Sequence, residues 1–200
     1  MERKISMKIL CITIGGTSES SRDKENQLET IVSKLWKYSK RPGEDLDLVS
    51  VPSFRRKKNL GEIYKILSDG IWKYDYILLI GKSQGGIRAI QFCRKYYDLL
   101  KKFKRCGLIT IDPHQWTWIG DKNRRISYID PIRFVRHWNI FQRNEWPRGG
   151  YCVDADNIQL IGKQYDHWNI VTCDETKELI CKMFEKITTT DIKFRWRNSK

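Results

Sequence analysis

Apolar residues arrive in short blocks along this chain, some packed solid and some spaced at helical intervals. Residues 8–14 (Lys-Ile-Leu-Cys-Ile-Thr-Ile) are the first solid block, closed by Gly15-Gly16-Thr17. A strand covered on both faces reads as such a run, whereas a half-exposed one alternates. Residues 46–51, closed by Pro52, read as a second strand, and apolar blocks return at 76–80 and at 107–111, stopped by Asp112-Pro113. Residues 138–142 and the short stretch 157–161 complete the set. Between the blocks the period changes. Leu28, Ile31, Val32, Leu35 and Trp36 share one face of a helix predicted from an N-cap at Asp23 to about Tyr38, with Arg41-Pro42-Gly43 as its stop. Residues 60–67 predict a short helix. Ile87, Ile90, Phe92, Tyr96, Leu99 and Leu100 predict a single helix after Ser83, and Leu179, Ile180, Met183, Phe184 and Ile187 are the expected buried set of a helix over 174–187. Residues 113–136 follow neither period and are basic and aromatic, and Arg148-Gly149-Gly150 reads as a turn.

Strands alternating with helices imply a mostly parallel sheet, covered on both faces and joined by right-handed crossovers. The expected architecture is α/β: a single three-layer domain over residues 1–187, with about five to six strands and a basic tail over 188–200. In such sheets reactive groups gather at the carboxyl ends of the strands. Gly15-Gly16-Thr17, Ser83 and Asp112 fall there.

The sharpest local signal is Ile77-Leu78-Leu79-Ile80 running into Gly81-Lys82-Ser83-Gln84-Gly85-Gly86, a G-x-S-x-G at a strand-to-helix junction. A serine on so tight a turn is held in strained backbone, and side chains at either flanking glycine would collide with neighbouring backbone. Gly81-Lys82-Ser83 also ends like a phosphate loop, but that pattern needs glycine at position 76, where this chain has Tyr76, and the residues between belong to a strand. An ordinary turn serine is the remaining alternative.

Two hundred residues suffice for one domain with a sizeable core, rich in aromatic side chains: eight Trp, nine Tyr and seven Phe. The apolar runs are too short to span a membrane, and no apolar stretch of signal-peptide length follows the charged N-terminus, so a cytoplasmic location is expected. The six cysteines include no C-x-x-C and no zinc spacing, which fits small buried hydrophobes in a reducing compartment and predicts neither metal nor cofactor. The net charge of +14, with clusters at Arg55-Arg56-Lys57-Lys58, at 101–105 and in the tail, favours weak association with polyanions or anionic membranes but contains no specific nucleic-acid motif.

Gly81-Lys82-Ser83-Gln84-Gly85-Gly86, the strand end Thr110-Ile111-Asp112-Pro113 and the late Asp166-His167 together resemble the small, nearly cap-free α/β-hydrolases, the cutinase-, lipase- and thioesterase-like serine hydrolases. The likeness spans roughly residues 8–187. Lys82 departs from it, since many members have histidine before the serine. The resemblance implies a nucleophile at Ser83, an acid at Asp112 and a base at His167, in the chain order Ser, acid, His. It also implies an oxyanion hole from the backbone of Gln84 and of Gly16 or Thr17, and an ester or thioester substrate, either a small molecule or a lipid. Asp130, Asp154, Asp156 and Asp166 stay open as alternative acids. Of the other histidines, His114 reads as a loop residue near Asp112, and His137 as a structural or exposed residue preceding a strand. Trp116, Trp118 and Tyr128 are candidates to line an acyl pocket, and Arg124, Arg125 and Arg133 to attract an anionic head group. Two other readings stand beside the enzyme: a catalytically silent fold serving as a basic binding module for nucleic acid or anionic lipid, and a nucleotide-binding protein with Gly15-Gly16-Thr17-Ser18 as phosphate cradle. The last lacks G-x-G-x-x-G spacing and ranks lowest.

Overall fold

A computed structural model describes residues 7–16, 28–39, 42–51, 58–70, 72–113, 134–144, 149–152 and 155–188. Six strands, β1 (Met7–Ile14), β2 (Glu44–Val51), β3 (Tyr76–Lys82), β4 (Arg105–Ile111), β5 (Phe134–Gln142) and β6 (Asp156–Leu160), form one sheet in the order β2-β1-β3-β4-β5-β6. Every neighbouring pair is parallel. The helices are α1 (Leu28–Ser39), α2 (Lys58–Gly70), α3 (Gln84–Lys95), α4 (Tyr97–Leu100) and α5 (Asp174–Thr188).

Strand alternation divides the core into two layers. Leu78 and Ile80 of β3 face the same way as Ile109 and Ile111 of β4, and pack with Leu28, Ile31, Val32 and Trp36 of α1 and Ile180, Met183, Phe184 and Ile187 of α5. Trp36 meets Phe184 with ring centroids 5.1 Å apart. Ile77 and Leu79 point to the opposite face, toward Ile63 and Leu67 of α2 and Ala89, Ile90, Phe92 and Cys93 of α3. Because both faces are covered, β3 is buried along its whole length, which is why its sequence reads as a solid apolar block.

The expected strands and helices are all present among the described residues, with several boundaries moved. β3 extends two residues further than the apolar run, through Gly81 and Lys82, because both continue the ladder with Thr110 and Ile111. The single helix expected after Ser83 is two helices: α3 closes at Tyr96, whose N–H bonds Phe92 O, and α4 follows as one turn. Apolar spacing cannot detect such a break, since Tyr96, Leu99 and Leu100 still pack on the same layer. α5 runs one residue past the expected domain limit, and Thr188 is buried there, its hydroxyl donating to Phe184 O at 3.0 Å. The expected N-cap Asp23 and residues 189–200 lie outside the described residues. No described helix is long and apolar enough to cross a membrane.

β1 and β3 are neighbours whose connections leave in opposite directions, β1 to β2 and β3 toward β4. This reversal opens a crevice at the carboxyl edge of a parallel sheet. The G-x-S-x-G turn and the Gly15-Gly16 pair flank it.

Candidate active site

Ser83 stands between the last residue of β3 and the first of α3 with φ 55° and ψ −125°. Left-handed backbone is costly for a residue carrying a Cβ, roughly 1–3 kcal/mol, and persists only where the surroundings over-determine it. The neighbouring glycines supply that constraint. A Cβ on Gly81 would lie 2.5 Å from Gly85 O, and one on Gly85 would overlap the carbonyl oxygens of Ile14 and Gly15. The elbow is therefore clamped between its own two arms and the end of β1. Ser83 N–H donates to Ile111 O at 2.9 Å, and Ser83 O accepts from Gly86 N–H at 3.1 Å. Gly16 lies against the serine: a Cβ there would sit 3.0 Å from Ser83 Cβ and 3.5 Å from its Oγ. Lys82 is buried beside it despite its charge.

Lys82 and Ile111 are register partners, so Ser83 and Asp112 leave adjacent strands at the same level. Asp112 is completely buried and also has positive φ, 45°. Its carboxylate oxygens are surrounded by donors. Oδ1 accepts from Gln142 N–H at 3.1 Å, and Oδ2 accepts from Gln142 Nε2 at 3.2 Å and from His167 Nδ1 at 2.5 Å. Three donors around one carboxyl group suit the ionised, acceptor-only form. The carboxylate in turn fixes the proton of a neutral His167 on Nδ1 and leaves Nε2 as the basic nitrogen. His167 is 3% exposed, so it is not a surface histidine.

The rival acids are otherwise engaged or outside the described residues. Asp166 Oδ1 accepts the N–H groups of Trp168 at 2.7 Å and Asn169 at 2.8 Å, which makes it the former of the turn that carries His167. Asp156 accepts from Trp138 Nε1 at 3.2 Å. Asp130 and Asp154 lie outside the described residues, as do Thr17, Ser18, His114, Trp116, Trp118, Arg124, Arg125, Tyr128 and Arg133. Gln84, the residue after the serine, is the first of α3 and is buried.

Two features of the site have no strong signal in the sequence. Gln142 is fully buried at the carboxyl end of β5 and offers two donors to Asp112. Its one sequence signal is an amide closing the apolar strand next to the one that ends in Asp112. Gly149, expected only as a turn residue, lies directly on the acid. A Cβ there would overlap Asp112 Oδ1 and come within 2.7 Å of Phe141 Cβ. Gly150 N–H bonds Pro113 O at 2.7 Å and closes the turn over the carboxylate.

His137 is a buried structural residue, as one of the two expected readings had it, but its place differs from the expected one before a strand. It lies inside β5, where its Nε2 is 3.1 Å from Thr110 Oγ1. The Thr110 hydroxyl donates to Asn139 Oδ1 at 2.9 Å, so it accepts from His137 Nε2–H. Asn139 continues the network to Gly150 O at 2.9 Å and Asn157 Oδ1 at 2.7 Å. Burial holds the His137 imidazole neutral and lowers its pKa from 6.5 to about 4. Between those two values the unfolded chain binds a proton that the folded one refuses. The stabilisation is complete above pH 6.5 and is lost as the pH falls toward 4, a difference of about 3 kcal/mol. His137→Gln, which cannot gain a proton, is expected to lose correspondingly less stability than the parent between pH 7 and pH 4 in urea unfolding. Equal losses in the two proteins would remove His137 as the cause.

Burial pushes the thiol pKa of Cys152 up to about 12 and raises those of Cys11 and Cys93. These are inert thiols rather than nucleophiles. Among the described residues no cluster of His, Cys, Asp and Glu is arranged to hold a metal ion.

No protein-family model matches the chain, and no curated protein matches its sequence. Solved structures do. One was reported with LipS and LipT, two metagenome-derived lipolytic enzymes; it aligns at 11% identity and TM-score 0.55 over 90% of this chain and 93% of its own. Another, a protein proposed to be a cell surface hydrolase of Lactobacillus plantarum WCFS1, aligns at 11% identity and TM-score 0.49 over 90% of this chain and 91% of its own. With the parallel sheet order and the serine elbow at its reversal point, the match to the lipolytic enzyme establishes that this chain has an α/β-hydrolase-like fold.

Proposed function

We propose that this protein is a serine hydrolase cleaving an ester or thioester of a small-molecule or lipid acyl substrate, with Ser83 as nucleophile, His167 as base and Asp112 as its orienting acid. The observation that carries the reading is the buried 2.5 Å bond between Asp112 Oδ2 and His167 Nδ1, at the sheet edge where Ser83 occupies a left-handed turn. With its proton fixed on Nδ1, the imidazole takes the Ser83 proton on Nε2 as Oγ attacks the acyl carbon. The first N–H groups of a helix have no intrahelical acceptor, so Gln84 N–H at the start of α3 serves the oxyanion, joined by an N–H from Gly16 or Thr17 after β1. His167 then returns the proton to the departing alkoxide or thiolate. Water, activated by the same nitrogen, releases the acyl group from Ser83. A net charge of +14 supports a preference for anionic substrates or surfaces.

A fluorophosphonate probe tests the reading without knowledge of the substrate. Wild-type protein is expected to label and Ser83→Ala not to, and a panel of esters of increasing acyl length then identifies the substrate class. Absence of labelling in the wild type, or equal labelling of Ser83→Ala, would overturn the proposal. Salt-sensitive binding to anionic lipid or nucleic acid by a protein that never labels would indicate the silent binding module instead.

A further inference from the structure

The carboxyl tip of β5 reaches both partners of the acid–base pair. Gln142 gives Asp112 two hydrogen bonds, from its backbone N–H to Oδ1 and from its side-chain Nε2 to Oδ2. The orientation of that amide is decided by its neighbours, because Gln142 Oε1 accepts Asn144 N–H at 2.8 Å while a carboxylate can only accept from Nε2. Asn144 then crosses to the loop that carries His167. Its Nδ2 donates to Gly162 O at 2.5 Å and lies 3.3 Å from Tyr165 O. Within that loop, Tyr165 N–H bonds Gly162 O at 3.1 Å and Asn169 Nδ2 bonds Gln164 O at 2.6 Å. A continuous chain of hydrogen bonds therefore runs from Asp112, through Gln142 at the end of β5 and Asn144 just beyond it, to the segment that carries His167.

We propose that Gln142 and Asn144 form a positioning clamp for the triad: Gln142 sets the angle of the Asp112 carboxylate, and Asn144 sets the height of the His167 loop above it. This inference rests on the triad proposed above. The bonds described above reach Asp112 and the His167 loop, which makes these positioning residues. Asp112 has positive φ and its N–H is held by Ile140 O at 2.6 Å, which anchors the backbone but leaves the rotation of the carboxylate to its side-chain contacts. The turn at Gly149 packs over Oδ1, which leaves the donors of Gln142 and His167 to define the plane of the group.

Three variants separate this role from simple packing. Gln142→Met keeps the volume and removes the side-chain donor. Gln142→Glu keeps the shape and places a second carboxylate against Asp112, which favours proton retention by the pair. Asn144→Ala is made on an exposed side chain and cuts only the tie to the loop. The readout is the second-order rate of fluorophosphonate labelling across pH, with circular dichroism as the check on folding. Gln142→Met is expected to label about 10- to 100-fold more slowly, the usual worth of one hydrogen bond to a charged group. Gln142→Glu is expected to move the acidic limb of the pH–rate profile upward by about one unit. Asn144→Ala is expected to slow labelling about 3- to 10-fold with an unshifted profile, as for loss of a neutral hydrogen bond. Lys82 beside Ser83, Arg143 between Gln142 and Asn144, and Asp166 beside His167 are unchanged in all three, so the shift is read against a constant background. Folded Gln142→Met and Gln142→Glu proteins that label at wild-type rates with a wild-type profile would overturn the clamp. If both fail to fold, the rate and profile of Asn144→Ala decide, and a wild-type rate there overturns it. Loss of Ser83 labelling in the wild type would instead remove the triad itself, and the clamp with it.

Discussion

Asp112→Asn is expected to lower kcat/KM by about 10⁴-fold in a protein that still folds. The size follows from the geometry around the carboxylate. Oδ2 receives two donors, Gln142 Nε2 and His167 Nδ1, and Oδ1 receives a third, Gln142 N–H. An asparagine must turn its amide nitrogen toward one side or the other. Facing Gln142 N–H, it opposes a donor with a donor, at a cost of about 1–3 kcal/mol for the unsatisfied buried groups. Facing His167, it offers an N–H where the imidazole needs an acceptor. The imidazole answers by moving its proton to Nε2, and the ring then has no lone pair with which to take the Ser83 proton. Ester turnover, urea unfolding and the Ser83 labelling rate are the three measurements. A folded Asp112→Asn protein with turnover within about tenfold of the parent would show that another group orients His167.

The second large effect is structural. Gly85→Ala is expected to destabilise the fold by at least about 3 kcal/mol, since its Cβ has no rotamer with which to escape the overlap. The atoms it meets are the backbone carbonyl oxygens of Ile14 and Gly15, at the end of a strand paired on both sides. Backbone held in a central ladder cannot yield, so α3 must lift away from the sheet. That movement drags Ser83 with it, because Ser83 O is bonded to Gly86 N–H. Domains are stable by only about 5–15 kcal/mol, so this single methyl removes a large share. Thermal unfolding checks it, and a Gly85→Ala midpoint within a few degrees of the parent would mean the elbow tolerates more slack than its contacts indicate. At Gly61, in contrast, an added Cβ would meet nothing within 4 Å, so Gly61→Ala serves as the control substitution within a helix.

Much of this is legible in the chain alone, and for definite reasons. A strand covered on both faces must be apolar throughout, so residues 8–14, 76–80 and 107–111 mark the centre of the sheet. A serine between glycines at a strand-to-helix junction has few other structural explanations once Tyr76 excludes a phosphate loop. Asp112 is legible because a charged residue directly after a central strand must emerge at the sheet's reactive edge. His167 is reachable because only three histidines exist.

Hydrophobic periodicity and strand polarity are enough to give the layering, the parallel pairing of the strands and the line of Gly15-Gly16-Thr17, Ser83 and Asp112 along one edge. The tertiary structure alone decided which carboxylate serves His167. Asp166 adjoins it in sequence but is engaged in its own turn, whereas Asp112 arrives from 55 residues away. It alone also decided the parts played by Gln142, Asn144 and Gly149. Their roles depend on angles and distances between chain segments remote in sequence, and a glutamine at the end of β5 looks the same whether it meets water or a buried carboxylate. The partner of a polar side chain is a property of packing, and packing is what ties Asp112 to His167 and, through Gln142 and Asn144, to the loop that carries it.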